Sequence, residues 1–248
     1  LATEEVEKNW ELNKKKSYLL QRGIKTDIKP VLTSLDKTRR RATFHGLKTK
    51  KGVIVGFFRK KTHKLISTDS CKLVDAQIIS RFELYRKLTK IGASRKSILK
   101  ISTTLSRTGL DINITEGKPL NVELKLKVAT LCNEFKVARV TWNTELIAQF
   151  STPVIDFNGI DVKIPPETFL QATEPGEKTL IKNVINSISE AHNVIDLFSG
   201  CGTFSLPASK IAKILAVDKS ESMLSTIDKA WRNNIGLKEI RCRYQDLF

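Results

Sequence analysis

Residues 193–204, Asn-Val-Ile-Asp-Leu-Phe-Ser-Gly-Cys-Gly-Thr-Phe, constrain the fold of this chain more than any other stretch. Val194, Ile195 and Leu197 give the continuous apolar run of a parallel strand covered on both faces. Gly200 and Gly202 remove Cβ atoms where the backbone must turn and approach a ligand. A helix is expected just after the turn. The spacing departs from the dinucleotide fingerprint G-x-G-x-x-G, because Ser205 stands at the third glycine position and Asp196 closes the strand. That combination favours S-adenosylmethionine over NAD. A second strand, Ile211 to Val217, ends in Asp218, a position from which a carboxylate can accept both ribose hydroxyls.

The charge is distributed unevenly around this motif. Residues 1–100 hold 26 Lys and Arg against 9 Asp and Glu, which is the whole of the net charge of +17, and the rest of the chain is near neutral. Such a division suits a domain that tracks phosphates followed by one that holds a small cofactor; a generally solvated lysine-rich surface remains the other reading. If the excess forms one face, Arg39, Arg41, Arg59 and Lys60 are the candidate RNA contacts. His63 contacts phosphate or packs at a strand end. No apolar run approaches the length of a membrane span, so a soluble, cytoplasmic monomer is expected. Four cysteines in a reduced chain make no disulfide framework, and Cys132, Cys201 and Cys242 read as packing residues.

Periodicity lays out the elements. An opening helix runs from Glu4 to Gln21, and Lys50-Lys51-Gly52 forms the tip between strands Arg39–Leu47 and Gly52–Lys60. Ala76 to Lys90 carries apolar residues at helical spacing. Strands at Ser97–Thr104 and Gly109–Thr115, a helix from Pro119 to Phe135 and strands at Ala138–Trp142 and Glu145–Phe150 follow. Asn158-Gly159 marks a two-residue hairpin between Pro153–Phe157 and Ile160–Ile164. A helix from Glu177 to Ser189 presents Leu180, Ile181, Val184, Ile185 and Ile188 to a sheet, and a last strand spans Glu239–Tyr244.

Pro165-Pro166-Glu167-Thr168-Phe169-Leu170-Gln171, then a helix, then Asp-Leu-Phe-Ser-Gly-Cys-Gly-Thr-Phe, resembles the RNA 5-methyluridine methyltransferases, most closely the bacterial branch acting on 23S ribosomal RNA. Arg39-Arg40-Arg41-Ala42-Thr43-Phe44, Val55-Gly56-Phe57-Phe58-Arg59 and Asp69-Ser70-Cys71 are similar to the central domain of that family in order and spacing. The likeness runs over nearly the whole chain. Thr173 departs from it, since the family has Asn two residues after the Gln of its F-x-Q-x-N segment.

The resemblance implies an α/β chain: a mixed α+β central domain over residues 1–150, then the first half of a Rossmann-like S-adenosylmethionine-dependent methyltransferase domain over 151–248. Gln171, Asp196, Phe198, Gly200, Gly202, Thr203, Asp218 and Asp246 would hold the cofactor, with Asp246 placed for the adenine amino group. In the family a cysteine adds to C6 of a flipped uridine, C5 takes the methyl group and a base removes the C5 proton. Nothing in this sequence matches that nucleophile or base, so no catalytic residue is assigned. Cys71 resembles the fourth thiolate of a [4Fe–4S] cluster in the parent protein, whose other ligands would precede Leu1.

Leu1 is not a start residue, and the expectation is a fragment lacking an N-terminal barrel domain and the C-terminal catalytic part. The partner expected is RNA, ribosomal before transfer RNA. Other readings are a non-catalytic RNA-binding module and a methyltransferase acting on another RNA, on nitrogen or on protein.

Overall fold

A computed structural model describes residues 4–62, 64–94 and 97–248. His63 lies outside them. The chain divides into two compact units, one ending at Leu35 and the other running from Asp36 to Phe248, so the boundary expected near residue 150 falls inside the second. The first unit is built on helix α1 (Glu4–Leu20). Gly23, at φ +71°, takes the chain out of that helix, where an L side chain would be strained. Among the described residues no helix is long and apolar enough to cross a membrane.

The second unit opens with β1 (Arg41–Thr49), β2 (Gly52–Phe58), β3 (Leu65–Ser67), helices α2 (Ala76–Ile79) and α3 (Phe82–Gly92), and strands β4 (Leu99–Ser106) and β5 (Gly109–Thr115). Helix α4 (Val122–Glu134) and strands β6 (Arg139–Trp142) and β7 (Glu145–Gln149) complete a seven-stranded sheet in the order β3-β2-β1-β4-β5-β6-β7. Only β5 and β6 run parallel; α4 makes the crossover between them. The helix expected over Ala76–Lys90 is two pieces. Ser80 closes α2 with its N–H bonded back to Ala76 O at 2.8 Å, Arg81 N–H bonds to Ile78 O at 3.2 Å, and Arg81 at ψ +13° restarts the chain while the apolar spacing continues across the break. Helices α2, α3 and α4 pack on one face of the sheet around Phe44, Tyr85, Leu88, Ile101 and Trp142.

Strands β8 (Val154–Asp156) and β9 (Asp161–Lys163) follow as a hairpin; Asn158 at φ +56° and Gly159 at φ +87° form its turn, as the Asn-Gly pair requires. Helix α5 (Glu174–Ser187) starts three residues before the expected Glu177 because the Thr173 hydroxyl accepts from Gly176 N–H at 3.2 Å and caps it. Then come β10 (Asn193–Leu197), the single-turn helix α6 (Ser205–Ala208), β11 (Lys213–Asp218), α7 (Glu221–Arg232) and β12 (Ile240–Tyr244). The three strands form a parallel sheet in the order β10-β11-β12. A second apolar cluster, including Phe157, Leu206, Ile214 and Ile227, lies here.

Three burial expectations fail in this region. Strand β10 is not covered on both faces: Ile195 and Leu197 are exposed, because β10 is an edge strand and α6 and α7 pack on β11 and β12. Leu180 is likewise exposed and Cys242 is not a packing residue, since only the first residue of β12, Ile240, is buried.

Two buried ion pairs anchor the seven-stranded sheet. Arg40 precedes β1, and its N–H donates to Ala172 O at 3.0 Å while Nε donates to Gln171 O at 3.2 Å. Its Nη2 meets Glu177 Oε2 of α5 at 2.5 Å, with both side chains almost fully buried. Arg139 of β6 grips Asp111 of β5 through Nε at 2.9 Å and Nη2 at 2.6 Å, and donates from Nη1 to Ile164 O at 3.0 Å. Removing one member of a buried pair leaves a lone charge out of water, so Arg40→Met is expected to destabilise the fold by about 3–5 kcal/mol. Arg40→Met with Glu177→Leu should recover most of that loss. Urea midpoints of the two variants check both statements.

Candidate functional site

The chain leaves β10 through a turn with three left-handed residues: Phe198 at φ +58°, Gly200 at +54° and Gly202 at +90°. For a bulky residue this conformation costs on the order of 1–2 kcal/mol, so the surroundings must enforce it. Ser199 N–H donates to Val217 O at 3.0 Å and Gly202 N–H to Ser199 O at 3.0 Å, locking the turn onto β11. The glycines serve different ends. A Cβ on Gly202 would press on Ile227 and Leu206 at 2.9–3.0 Å, whereas one on Gly200 would meet nothing within 4 Å. Gly202 therefore permits close packing, and Gly200 faces open space at the carboxyl end of the strands, where ligands of open α/β sheets bind.

Asp218 closes β11 beside this opening. Its Oδ2 accepts from Gly200 N–H at 2.8 Å and Oδ1 from Ser220 N–H at 2.9 Å. A carboxylate has about four acceptor positions, so two are left for a ligand while the other two hold the turn. Asp196 lies deeper: burial pushes its pKa up, Asp218 adds to the rise, and the Ser205 hydroxyl, donating at 2.5 Å, opposes it. Phe198 is exposed with its ring 5.2 Å from that of Phe248, and Asp246 Oδ1 accepts from Phe248 N–H at 3.2 Å.

Thr203 is half-buried at the start of α6, whose four residues are too short to carry a helix dipole. Gln171 is tethered through its carbonyl to Arg40, and the Arg40–Glu177 pair acts electrostatically on Cys201, whose thiol is pushed up to about 12 by burial. Sequence reading missed Ser199. Its Oγ is buried in the turn without a hydrogen-bond partner. An open backbone turn, an orphaned hydroxyl and a half-used carboxylate fit an S-adenosyl ligand.

The second feature is the sheet face opposite α2–α4. Register places Arg41, Thr104, Asp111 and Arg139 in one row across β1, β4, β5 and β6, Thr43, Ser102, Asn113 and Thr141 in the next, and His45, Lys100 and Thr115 in a third. Thr43 and Ser102 share a hydrogen bond at 3.1 Å, and Thr141 Oγ1 donates to Asn113 Oδ1 at 2.8 Å. A cleft of about 480 Å³ opens over these rows, edged by Glu167 and Phe169. Arg39 and Arg41 line it, with the Arg41 guanidinium 4.2 Å from the Phe169 ring centre. Arg59 and Lys60 are exposed beyond β2 and do not line it.

Cys71 is half-buried against the first apolar cluster. Among the described residues no group of three or more His, Cys, Asp or Glu could hold a metal ion, so those around Cys71 do not by themselves fit a [4Fe–4S] cluster.

No protein-family model matches the chain. A protein of Brucella suis named as an uncharacterised RNA methyltransferase is 33% identical over 227 residues, covering 92% of this chain and 55% of the relative. The 23S rRNA (uracil(1939)-C(5))-methyltransferase of Burkholderia cenocepacia is 22% identical over 197 residues, 75% of this chain and 42% of that one. The chain spans about half the length of the curated relatives it matches. Among solved structures, the Pyrococcus abyssi tRNA (uracil-54, C5)-methyltransferase in complex with S-adenosyl-L-homocysteine aligns with a TM-score of 0.72 at 17% identity, over 95% of this chain and 62% of that one. The chain shares that enzyme's fold. It is the α/β architecture of an S-adenosylmethionine-dependent methyltransferase, as the motif at 193–204 implies.

Because the folded-state pKa of Asp196 is raised, its ionised form costs stability that is lost as pH climbs from the unfolded carboxylate value, about 3.9, through the higher folded value. Asp196→Asn should therefore melt a few degrees above the unmodified protein at pH 7, with the gap closing below about pH 4. Thermal melts across that range give the comparison; a gap independent of pH would remove the ionised carboxylate as its cause.

Proposed function

We propose that this chain is the cofactor-binding and RNA-binding part of an S-adenosylmethionine-dependent methyltransferase that forms 5-methyluridine in RNA, with ribosomal RNA the favoured substrate. The observation that carries the reading is the union, in one compact unit, of the Gly200–Asp218 turn with a sheet face lined by arginines. The names of the Brucella and Burkholderia relatives support RNA as substrate, and the Burkholderia and Pyrococcus names support C5 of uracil.

In this reading residues 151–248 hold the cofactor and exposed basic residues before 150 hold phosphates. When bound, S-adenosylmethionine supplies an activated methyl group. Asp218 fixes the ribose hydroxyls, the Gly200 backbone lies against the methionine part, Asp246 meets the adenine amino group, and Gln171 orients the zwitterionic end with both a donor and an acceptor. Phe198 keeps the turn open by holding its left-handed backbone. Methyl transfer needs chiefly positioning, and these groups provide it.

In the full-length protein, Asp218→Ala should weaken S-adenosylmethionine binding by about 2 kcal/mol, the scale of a charged hydrogen-bond partner. Calorimetry reads this directly, and unchanged affinity would take Asp218 out of the site. RNA binding should fall steeply with salt. Charge reversal at Arg39 or Arg41 should lower affinity and flatten the salt slope by about one counterion per contact, with Arg59 and Lys60 contributing as outer phosphate contacts. Salt-insensitive binding would reduce the basic half to an ordinary solvated surface.

A further inference from the structure

The cleft over the polar sheet face contains a carboxylate that phosphate binding does not explain. Glu167 follows Pro165-Pro166 in a left-handed conformation, φ +61°, and its Oε1 accepts a short hydrogen bond from Asn113 Nδ2. Asn113 is itself fixed from the other side, because its Oδ1 accepts from Thr141 Oγ1 at 2.8 Å. The amide therefore has one orientation, which presents its N–H to Glu167 and holds the carboxylate at the mouth of the cleft. Asn113 uses one of the roughly four acceptor positions of that carboxylate. Around it stand the donors Arg39, Arg41 and Lys100, the hydroxyls of Thr43 and Ser102, and the exposed ring of Phe169. A surface meant only for phosphate gains nothing from an anion at its mouth, since like charges repel.

We propose that this cleft is a nucleotide subsite and that Glu167 reads the base, accepting the ring N–H of a base that carries a carbonyl beside it. The inference rests on the reading of RNA as substrate. Uracil and guanine both present that edge: a ring N–H donor next to one or two carbonyl acceptors, which the neighbouring cations can meet. Adenine and cytosine turn an unprotonated ring nitrogen toward the same place, lone pair against carboxylate. An unstacked base with an accessible pairing edge is how single-stranded RNA is read by proteins, and the cleft volume of about 480 Å³ admits one nucleotide. Glu167 is thus a specificity-determining residue, whereas Asn113 and Thr141 position it.

The test is fluorescence anisotropy of the protein with adenosine pentanucleotides whose central residue is U, G, A, C or N3-methyluridine. U or G at the centre should bind about tenfold more tightly than A, C or N3-methyluridine, and whichever of U and G is tighter names the base. Glu167→Gln, an exposed substitution whose fold is checked by an unchanged melting temperature, should abolish the preference without weakening binding of the all-adenosine strand. Equal binding of all five strands, a preference for A or C, or a preference that survives Glu167→Gln overturns the subsite. Absence of binding to every strand instead overturns the RNA reading beneath it.

Discussion

The contact between Arg40 and Glu177 joins residues 137 apart in the chain at 2.5 Å, in surroundings almost free of water. On one side Arg40 belongs to the segment that starts β1 and hence the seven-stranded sheet; on the other, Glu177 sits in the first turns of α5. Burial pushes the Glu177 pKa up and Arg40 pulls it down, so the carboxylate depends on its partner to remain charged. Its Oε1 has no hydrogen bond of its own. Arg40 also holds the backbone at Gln171 and Ala172, so the loop before α5, that helix and the first strand share a single anchor. A buried pair of this kind adds little net stability over apolar replacements; what it enforces is one arrangement.

The Gly200–Asp218 contact works on a smaller scale by the same logic. A carboxylate that holds a backbone N–H has its direction set before any ligand arrives, and preorganisation of that sort lowers the entropy lost on binding. The left-handed Phe198 backbone is a local cost that this arrangement offsets.

Much of this was legible in the sequence because it depends on short spacings. The strand, the glycine turn and Asp218 lie within residues 193–218, and the Asn158-Gly159 turn and the helix at α1 follow from local backbone preferences. What was not legible depends on register and on tertiary cover. Glu167, Asn113 and Thr141 are remote in sequence: the pairing of β5 with β6 sets Asn113 opposite Thr141, and the loop after β9 brings Glu167 to them. The apolar run of β10 reads as buried, yet whether helices lie over a strand is not written in the strand itself. Ser80-Arg81 interrupts a helix whose apolar period continues unbroken, so periodicity alone could not show it. Arg59 and Lys60 carry the same charge as Arg39 and Arg41, and composition could not separate those at the cleft from those outside it.

The alternation at Arg39-Arg40-Arg41 sends the outer two residues to the cleft and the middle one inward to Glu177. Extended chain has a period of two, so a slip of one residue here would turn two guanidinium groups toward a single interior carboxylate and leave one for the cleft. Three identical residues in a row offer no sequence difference to prevent such a slip. Their unlike destinations forbid it: the interior has one counter-charge, and a second buried cation would be unmatched. The triplet thus acts as an indexing pin for β1, and through β1 for the alignment of every polar row across the sheet.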